Sequence, residues 1–241
     1  MTALLEVDRI SKSFSGLRAV ENVSFVVPEG AIVGLIGPNG AGKTTCFNVI
    51  AGVTRADAGE VRLAGARIDG WRPDAVCRAG IGRTFQLVKP FAGLSVMENI
   101  VVGALNACAS VREAKDKAAQ IIEQLGLAGK RHAVAASLTL PERKRLEVAR
   151  ALATGPRLLM LDEVMAGLRP TETDHMVSLF RELNRRMGLT VLLIEHVMRA
   201  VMALSNQLIV LNHGQVIAAG TPAEVTRDRA VLECYLGEEA V

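Results

Sequence analysis

The run Gly37-Pro38-Asn39-Gly40-Ala41-Gly42-Lys43-Thr44 carries the spacing GxxxxGK[ST], and that spacing does phosphate chemistry. Its glycines let successive backbone N–H groups point inward at phosphate oxygens, where the dipole of a following helix adds positive potential. Lys43 has the reach for β- and γ-phosphates, and Thr44 offers a hydroxyl to Mg²⁺. Thr45, next in the same turn, is counted with the nucleotide-binding residues. The motif needs a buried strand before it and a helix after it. Ala31 to Ile36 supplies the strand, and a short helix is expected from Thr44 to about Ala51, where Gly52 can take a positive φ. Downstream, Leu158 to Leu161 is an apolar strand ending in Asp162-Glu163. At a strand's carboxyl end, Asp162 can hold the Mg²⁺ shell while Glu163 polarises an attacking water. A phosphate loop alone leaves kinase, GTPase and ATPase open. The absence of Asn-Lys-x-Asp counts against guanine recognition.

The elements that must position these groups can be read from periodicity. Strands are expected at Leu4–Ile10, Val23–Val27, Thr190–Ile194 and in hairpins over Glu60–Ile68 and Gln207–Ala218, turning at Ala64-Gly65 and Asn212-His213-Gly214. From about Ser95 to Ala153 the period becomes helical. Ser95–Glu98 and Ser110–Glu113 both read as capping boxes. The second helix should bury Val111, Ala114, Ala118, Ile121 and Leu125 and stop at Gly126. Glu172 to Met187 should bury a stripe of Met176, Phe180, Leu183 and Met187, and Thr221-Pro222-Ala223-Glu224 should cap the last helix. Apolar β-branched strands alternating with helices imply an α/β fold: a mainly parallel sheet covered on both faces. The helical block, about 92–153, reads as a subdomain inserted into a single domain spanning 1–241.

Composition narrows the class. The chain has 241 residues, 50% of them hydrophobic and 22% charged, with 28 Lys+Arg against 25 Asp+Glu and a net charge of +3. That is apolar enough to fold and long enough to need no disulfide or metal for its core. The mean hydropathy of +0.28 invites a membrane reading, but no stretch reaches the roughly 20 apolar residues of a spanning helix. The best one, Phe91 to Ala109, is broken by Glu98, Asn99 and Asn106. No leader peptide is expected, because Leu4-Leu5 runs directly into Glu6, Asp8 and Arg9. Cys46, Cys77, Cys108 and Cys234 are too scattered for a zinc cluster and suit a reducing, cytosolic compartment. Lys130-Arg131, Arg143-Lys144-Arg145 and Arg185-Arg186 read as solvated helix faces and loops, with a docking face for a membrane protein as the alternative. With 3% aromatics there is no platform for stacking bases, so no nucleic-acid partner is expected.

Across essentially the whole chain, the sequence resembles the nucleotide-binding subunit of an ABC transporter, with that family's P-loop NTPase core, antiparallel β subdomain and inserted α-helical subdomain. Gln86, in Arg83-Thr84-Phe85-Gln86, stands at the Q-loop glutamine, and His196, after Val191 to Ile194, at the switch histidine. Phe14 takes the place of the aromatic that stacks on adenine. The resemblance implies ATP with Mg²⁺, held by Thr44, Gln86 and Asp162, and hydrolysis by Glu163 with His196 and Gln86. His132, His175 and His213 are read as structural. Gly80 to Gln86, Ala166-Gly167-Leu168-x-Pro170 and Tyr235-Leu236-Gly237-Glu238 are similar to one subunit type of the branched-chain amino-acid importers.

The implied assembly lies on the cytoplasmic face of the inner membrane. It contains membrane-spanning permease subunits docked near Phe91 to Asn99, a second ATP-binding subunit, and an extracytoplasmic solute-binding protein. An ABC-type clamp acting in translation or DNA repair is the rival, but such proteins usually carry two cassettes or long insertions. A small-molecule P-loop kinase would need an arginine-bearing lid, for which no pattern follows the helices.

One departure is large. The family's Leu-Ser-Gly-Gly-Gln signature falls on Leu138-Thr139-Leu140-Pro141-Glu142. Thr139 and Glu142 can still cap a helix, but Pro141 lacks an N–H, Leu140 adds bulk and Glu142 adds negative charge. A heterodimer is therefore expected, in which a different subunit supplies an intact signature and Thr139 contributes weakly across the interface. Arg169 stands where many relatives carry the D-loop aspartate, a milder departure.

Overall fold

The computed structural model describes residues 2–86 and 89–236, of Leu236 the backbone alone. Gly237 and Glu238 lie outside the described residues. The strands are β1 (Ala3–Phe14), β2 (Leu17–Pro28), β3 (Ile32–Ile36), β4 (Ala58–Leu63), β5 (Ala66–Arg67), β6 (Ile81–Arg83), β7 (Leu158–Asp162), β8 (Thr190–Ile194), β9 (Gln207–Asn212) and β10 (Gln215–Gly220). The helices are α1 (Lys43–Ile50), α2 (Pro73–Ala79), α3 (Val96–Ala104), α4 (Val111–Gln124), α5 (Leu140–Ala153), α6 (Pro170–Met187), α7 (Met198–Leu204), α8 (Pro222–Val225) and α9 (Arg229–Leu236).

The strands form two sheets. One is antiparallel, in the order β2-β1-β4-β5, and the other runs β10-β9-β3-β8-β7-β6. The second is parallel except where β10 pairs with β9. Its central strands, β3, β7 and β8, are buried at every residue, which is why they read as unbroken apolar runs. Alternate side chains still part to opposite faces. Val33, Leu35, Leu158, Met160, Leu192 and Ile194 pack with α1 and the antiparallel sheet. Ile32, Ile36, Leu159, Leu161, Val191 and Leu193 pack with the helical layer.

That layer starts as expected and departs in detail. The Ser95 box is reciprocal: the Glu98 N–H donates to Ser95 Oγ at 3.2 Å, and the Ser95 N–H donates to Glu98 Oε2 at 2.7 Å. The second box is half formed, because the Glu113 carboxylate accepts instead from the Ala109 N–H, one residue earlier. Val111 is exposed, so the buried stripe of α4 begins a turn later at Ala114 and gains Ile122. Met187, the last residue of α6, is likewise exposed, with Gly188 ending the helix at φ +62°. The Thr221 box caps only the single turn of α8. A further helix, α9, follows, with Asp228 Oδ1 accepting the Ala230 N–H at 2.8 Å.

Candidate functional site

In an open parallel sheet, ligands collect beyond the carboxyl ends of the strands. The ends of β3, β6, β7 and β8 carry, respectively, the phosphate loop, Gln86, Asp162-Glu163 and His196. The loop is shaped by its glycines. Gly37 has φ +143°, and a Cβ there would lie 2.0 Å from the Leu211 carbonyl oxygen. Gly42 has φ +99°, with the Ala19 carbonyl oxygen 2.3 Å from any Cβ. No other residue fits either place. The loop is buttressed behind by the Gly214 N–H donating to the Ala41 carbonyl at 3.0 Å. Pro38 and Ala41 are buried, Asn39, Gly40 and Thr44 exposed, and Thr45 half-buried. Lys43 is buried, and its Nζ donates to the carbonyls of Gly37 at 2.6 Å and Pro38 at 2.7 Å. The ammonium thus sits in the loop's own concavity, a charge suited to an incoming phosphate.

Glu163 is where three elements converge. Gln86 Nε2 donates to Glu163 Oε2 at 3.0 Å, and His196 Nε2 stands 3.2 Å from Glu163 Oε1. The residue has φ +50°, a left-handed conformation that costs a side-chain-bearing residue about 1–3 kcal/mol and is tolerated where the surroundings over-determine it. Here they do. Its N–H donates to the Ile194 carbonyl at 2.9 Å, and its own carbonyl accepts from Lys144 Nζ at 2.9 Å.

Asp162 is buried beside Glu163 and faces a cation. Arg83 Nη2 donates to its Oδ2 at 3.0 Å, while Arg83 Nη1 donates to Asn48 Oδ1 at 2.8 Å. Thr44, Arg83, Gln86 and Asp162 line one cavity of about 730 Å³. Its wall continues away from the loop along the apolar side chains of Val53, Val76, Phe85 and Val102. A hydroxyl, an amide and a carboxylate opening on one cavity are an oxygen donor set that fits Mg²⁺, and Arg83 shows that a positive charge beside Asp162 is accommodated.

Phe14 is exposed at the tip of the β1–β2 hairpin, with Lys12 Nζ 5.5 Å from its ring centroid. Further along the same hairpin, Ala19 packs on the phosphate loop through Gly42. Thr139 lies elsewhere, at the start of α5. Both of its donors turn back into its own cap: N–H to Glu142 Oε2 at 2.8 Å and hydroxyl to the same oxygen at 2.9 Å. The Thr139 N–H, with the Thr139 hydroxyl and Lys130 adding to it, holds the Glu142 carboxyl below its usual range. Leu140 Cδ2 lies 3.3 Å from where a Gly167 Cβ would stand. The amino end of α5 is thus filled by an internal carboxylate. Arg169 caps α6, its N–H donating to Glu172 Oε2 at 2.8 Å.

Arg83, Lys144, Glu147 and Glu195 also belong to the site, although no motif in the sequence marks them for it. Lys144 stands with Arg143 and Arg145 in a run that reads as solvated, yet only 4% of it is exposed. On a 3.6-residue period Lys144 shares the inward face of α5 with Glu147, Val148 and Ala151, a signal that was present but masked by the residue type. Glu195 is buried after β8, accepts the Met165 N–H at 2.7 Å, and is pushed by burial up to about 7.

Residues 20–166 match the ABC transporter family, and residues 215–241 match the family described as branched-chain amino acid ATP-binding cassette transporter. The chain belongs to the ABC transporter family, and as a member of it is an ATP-binding, ATP-hydrolysing subunit. Among curated relatives, the high-affinity branched-chain amino acid transport ATP-binding protein BraF of Pseudomonas aeruginosa is 40% identical, over 98% of each chain. LivG of Escherichia coli K12, which carries the same description, is 39% identical over the same share. The lipopolysaccharide export system ATP-binding protein LptB of that strain is 37% identical, again over 98% of each. Among solved structures, a nucleotide-free ATP-binding cassette from an ABC transporter matches with a TM-score of 0.88 at 32% identity, over 97% of this chain and 99% of that one. An ATP-binding cassette in its ADP conformation matches with a TM-score of 0.89 at 32% identity, over 98% and 100%. Among the described residues, no helix is long and apolar enough to cross a membrane.

Proposed function

We propose that this chain powers an importer of branched-chain or related amino acids, peripheral to the inner membrane, and that Glu163 is the group that polarises the attacking water. The observation that carries the reading is the convergence of Gln86 and His196 on the Glu163 carboxylate, next to Asp162 and beyond the phosphate loop. The match of residues 215–241, and of BraF and LivG, favours amino acids over the cargo of the lipopolysaccharide exporter.

In this reading, the N–H groups of Asn39 to Thr45 and the Lys43 ammonium bind and orient the phosphates, and Phe14 stacks on the base. Thr44, Asp162 and Gln86 would hold Mg²⁺, which when bound neutralises charge on the phosphate oxygens. Glu163 accepts the proton of the attacking water, a role worth about 10²–10⁴ in rate. His196 and Gln86 hold that carboxylate aligned and then turn to the γ-phosphate and the metal shell. The block at about 92–153 acts as a helical subdomain of a single 1–241 domain. The apolar groove around Phe85 and Val102, with the exposed face near Phe91, receives a segment of a permease subunit. The solute-binding protein joins only through the assembled complex.

A second, different ATP-binding subunit completes the dimer. The Glu142 carboxylate occupies the amino end of α5, where a partner's γ-phosphate would otherwise be received, so the site that borrows Thr139 turns over slowly. Affinity purification of the tagged chain from detergent-solubilised membranes tests this reading. Two permease chains and a non-identical ATPase should co-purify, and reconstituted vesicles should take up leucine, isoleucine or valine on ATP addition. Recovery of only one kind of ATPase chain, or of ribosomes or DNA, would contradict it.

A further inference from the structure

The amino end of α5 is capped by its own Glu142 carboxylate, and the helix's inward face buries two charged side chains, Lys144 and Glu147. A buried ammonium needs acceptors. Lys144 Nζ donates to the Glu163 carbonyl at 2.9 Å, and that carbonyl belongs to a residue that is left-handed without being glycine, at φ +50°. One helical turn on, Glu147 Oε1 accepts the Phe85 N–H at 2.5 Å, in the segment leading to Gln86. The attraction of Lys144 also favours the charged forms of Glu147 and Glu195, against the burial that raises both. Lys144 and Glu147 therefore hold from beneath the backbones of the two segments whose side chains, Glu163 and Gln86, meet at 3.0 Å.

We propose that Lys144 is a positioning residue for ATP hydrolysis: by holding the Glu163 carbonyl it fixes the left-handed turn that aims the Glu163 carboxylate at the attacking water. The helix whose amino end serves a partner's site only weakly thus aligns the site of its own subunit. This deepens the reading of Glu163 given above and rests on it.

The test compares the full chain, with its co-purified subunits, as wild type, Lys144→Met, Lys144→Arg, Glu163→Gln and the Lys144→Met/Glu163→Gln double variant. Steady-state hydrolysis gives kcat and KM, a fluorescent ATP analogue gives nucleotide affinity, and thermal denaturation gives Tm. Lys144→Met should lower kcat 10- to 100-fold, with KM and nucleotide affinity within twofold of wild type. Lys144→Arg should recover kcat to within fivefold of wild type, and Lys144→Met should cost nothing further in the Glu163→Gln background. Should the methionine variant not fold, Lys144→Gln takes its place, with the same split between kcat and KM expected. A kcat within twofold of wild type for the neutral variant overturns the proposal, as does a loss that arginine fails to rescue or that multiplies in full with Glu163→Gln. If Glu163→Gln itself turns over at the wild-type rate, the reading of Glu163 falls first, and this inference with it.

Discussion

Glu195 shows how the residue type next to a reactive group can set the behaviour of the fold. Its carboxyl is buried between Ile194 and His196, and burial lifts it from an ordinary value near 4.5 to about 7, although the Met165 N–H and Lys144 pull it back. Between those two values the unfolded chain has released this proton and the folded chain retains it. Folding therefore loses stability as pH rises from about 4.5 to 7, by roughly 1.4 kcal/mol per pH unit at most. Glu195→Gln keeps an oxygen for the Met165 N–H and removes the titration. Its Tm is expected to exceed the wild-type value by several degrees at pH 8 and to match it near pH 4.5, read by thermal denaturation across that range. This residue gave no signal in the sequence, because burial is a property of what surrounds the end of β8. Glu163 is the opposite case. Its place after an apolar strand and beside Asp162 marked it for chemistry, while its left-handed backbone and its clasp by Gln86 and His196 exist only once β6, β7 and β8 are aligned.

Among the elements, α5 carries the most information. Its start was legible, since Thr139 and Glu142 have capping-box spacing and the helix begins at Leu140. Its inward face was not, because a Lys between two Arg reads as solvated until the helix is packed against β6 and β7. The same limit explains Val111 and Met187: hydrophobic type and helical period nominate a stripe, but only the length of the neighbouring elements decides which end residues are covered. α9 was missed although Asp228 is a capping residue, because the box at Thr221 had already accounted for a helix start there. The chemistry at the head of α5 yields a prediction on the element's own scale. Combining Thr139→Ser, Leu140→Gly, Pro141→Gly and Glu142→Gln frees the helix end of its internal carboxylate and restores N–H donors. Loss of one preorganised donor typically costs about 10²–10³ in rate. Nucleotide turnover at the second site of the assembled dimer should therefore rise at least tenfold, measured in single-turnover experiments with the other site inactivated. Unchanged turnover would remove the asymmetry argued here.

At the scale of the molecule, the parallel sheet gathers the chemistry. Strands close together in the sheet but far apart in the chain, β3, β6, β7 and β8, end at one edge and deliver the phosphate loop, Gln86, Asp162-Glu163 and His196 there. The same cavity extends from this edge to the apolar groove around Phe85, so a segment bound in the groove would touch the backbone that leads to Gln86. The fold class was legible from unbroken apolar strands alternating with helices, and the phosphate loop from its spacing together with the strand before it and the helix after it. The order of strands and the ionic layer beneath Glu163 required the packed molecule. The most direct test of the account is ATP turnover by the assembled complex carrying Glu163→Gln. The account predicts a fall of about 10²–10⁴ in kcat with ATP still bound and the two ATPase subunits held together. Turnover at the wild-type rate would contradict it.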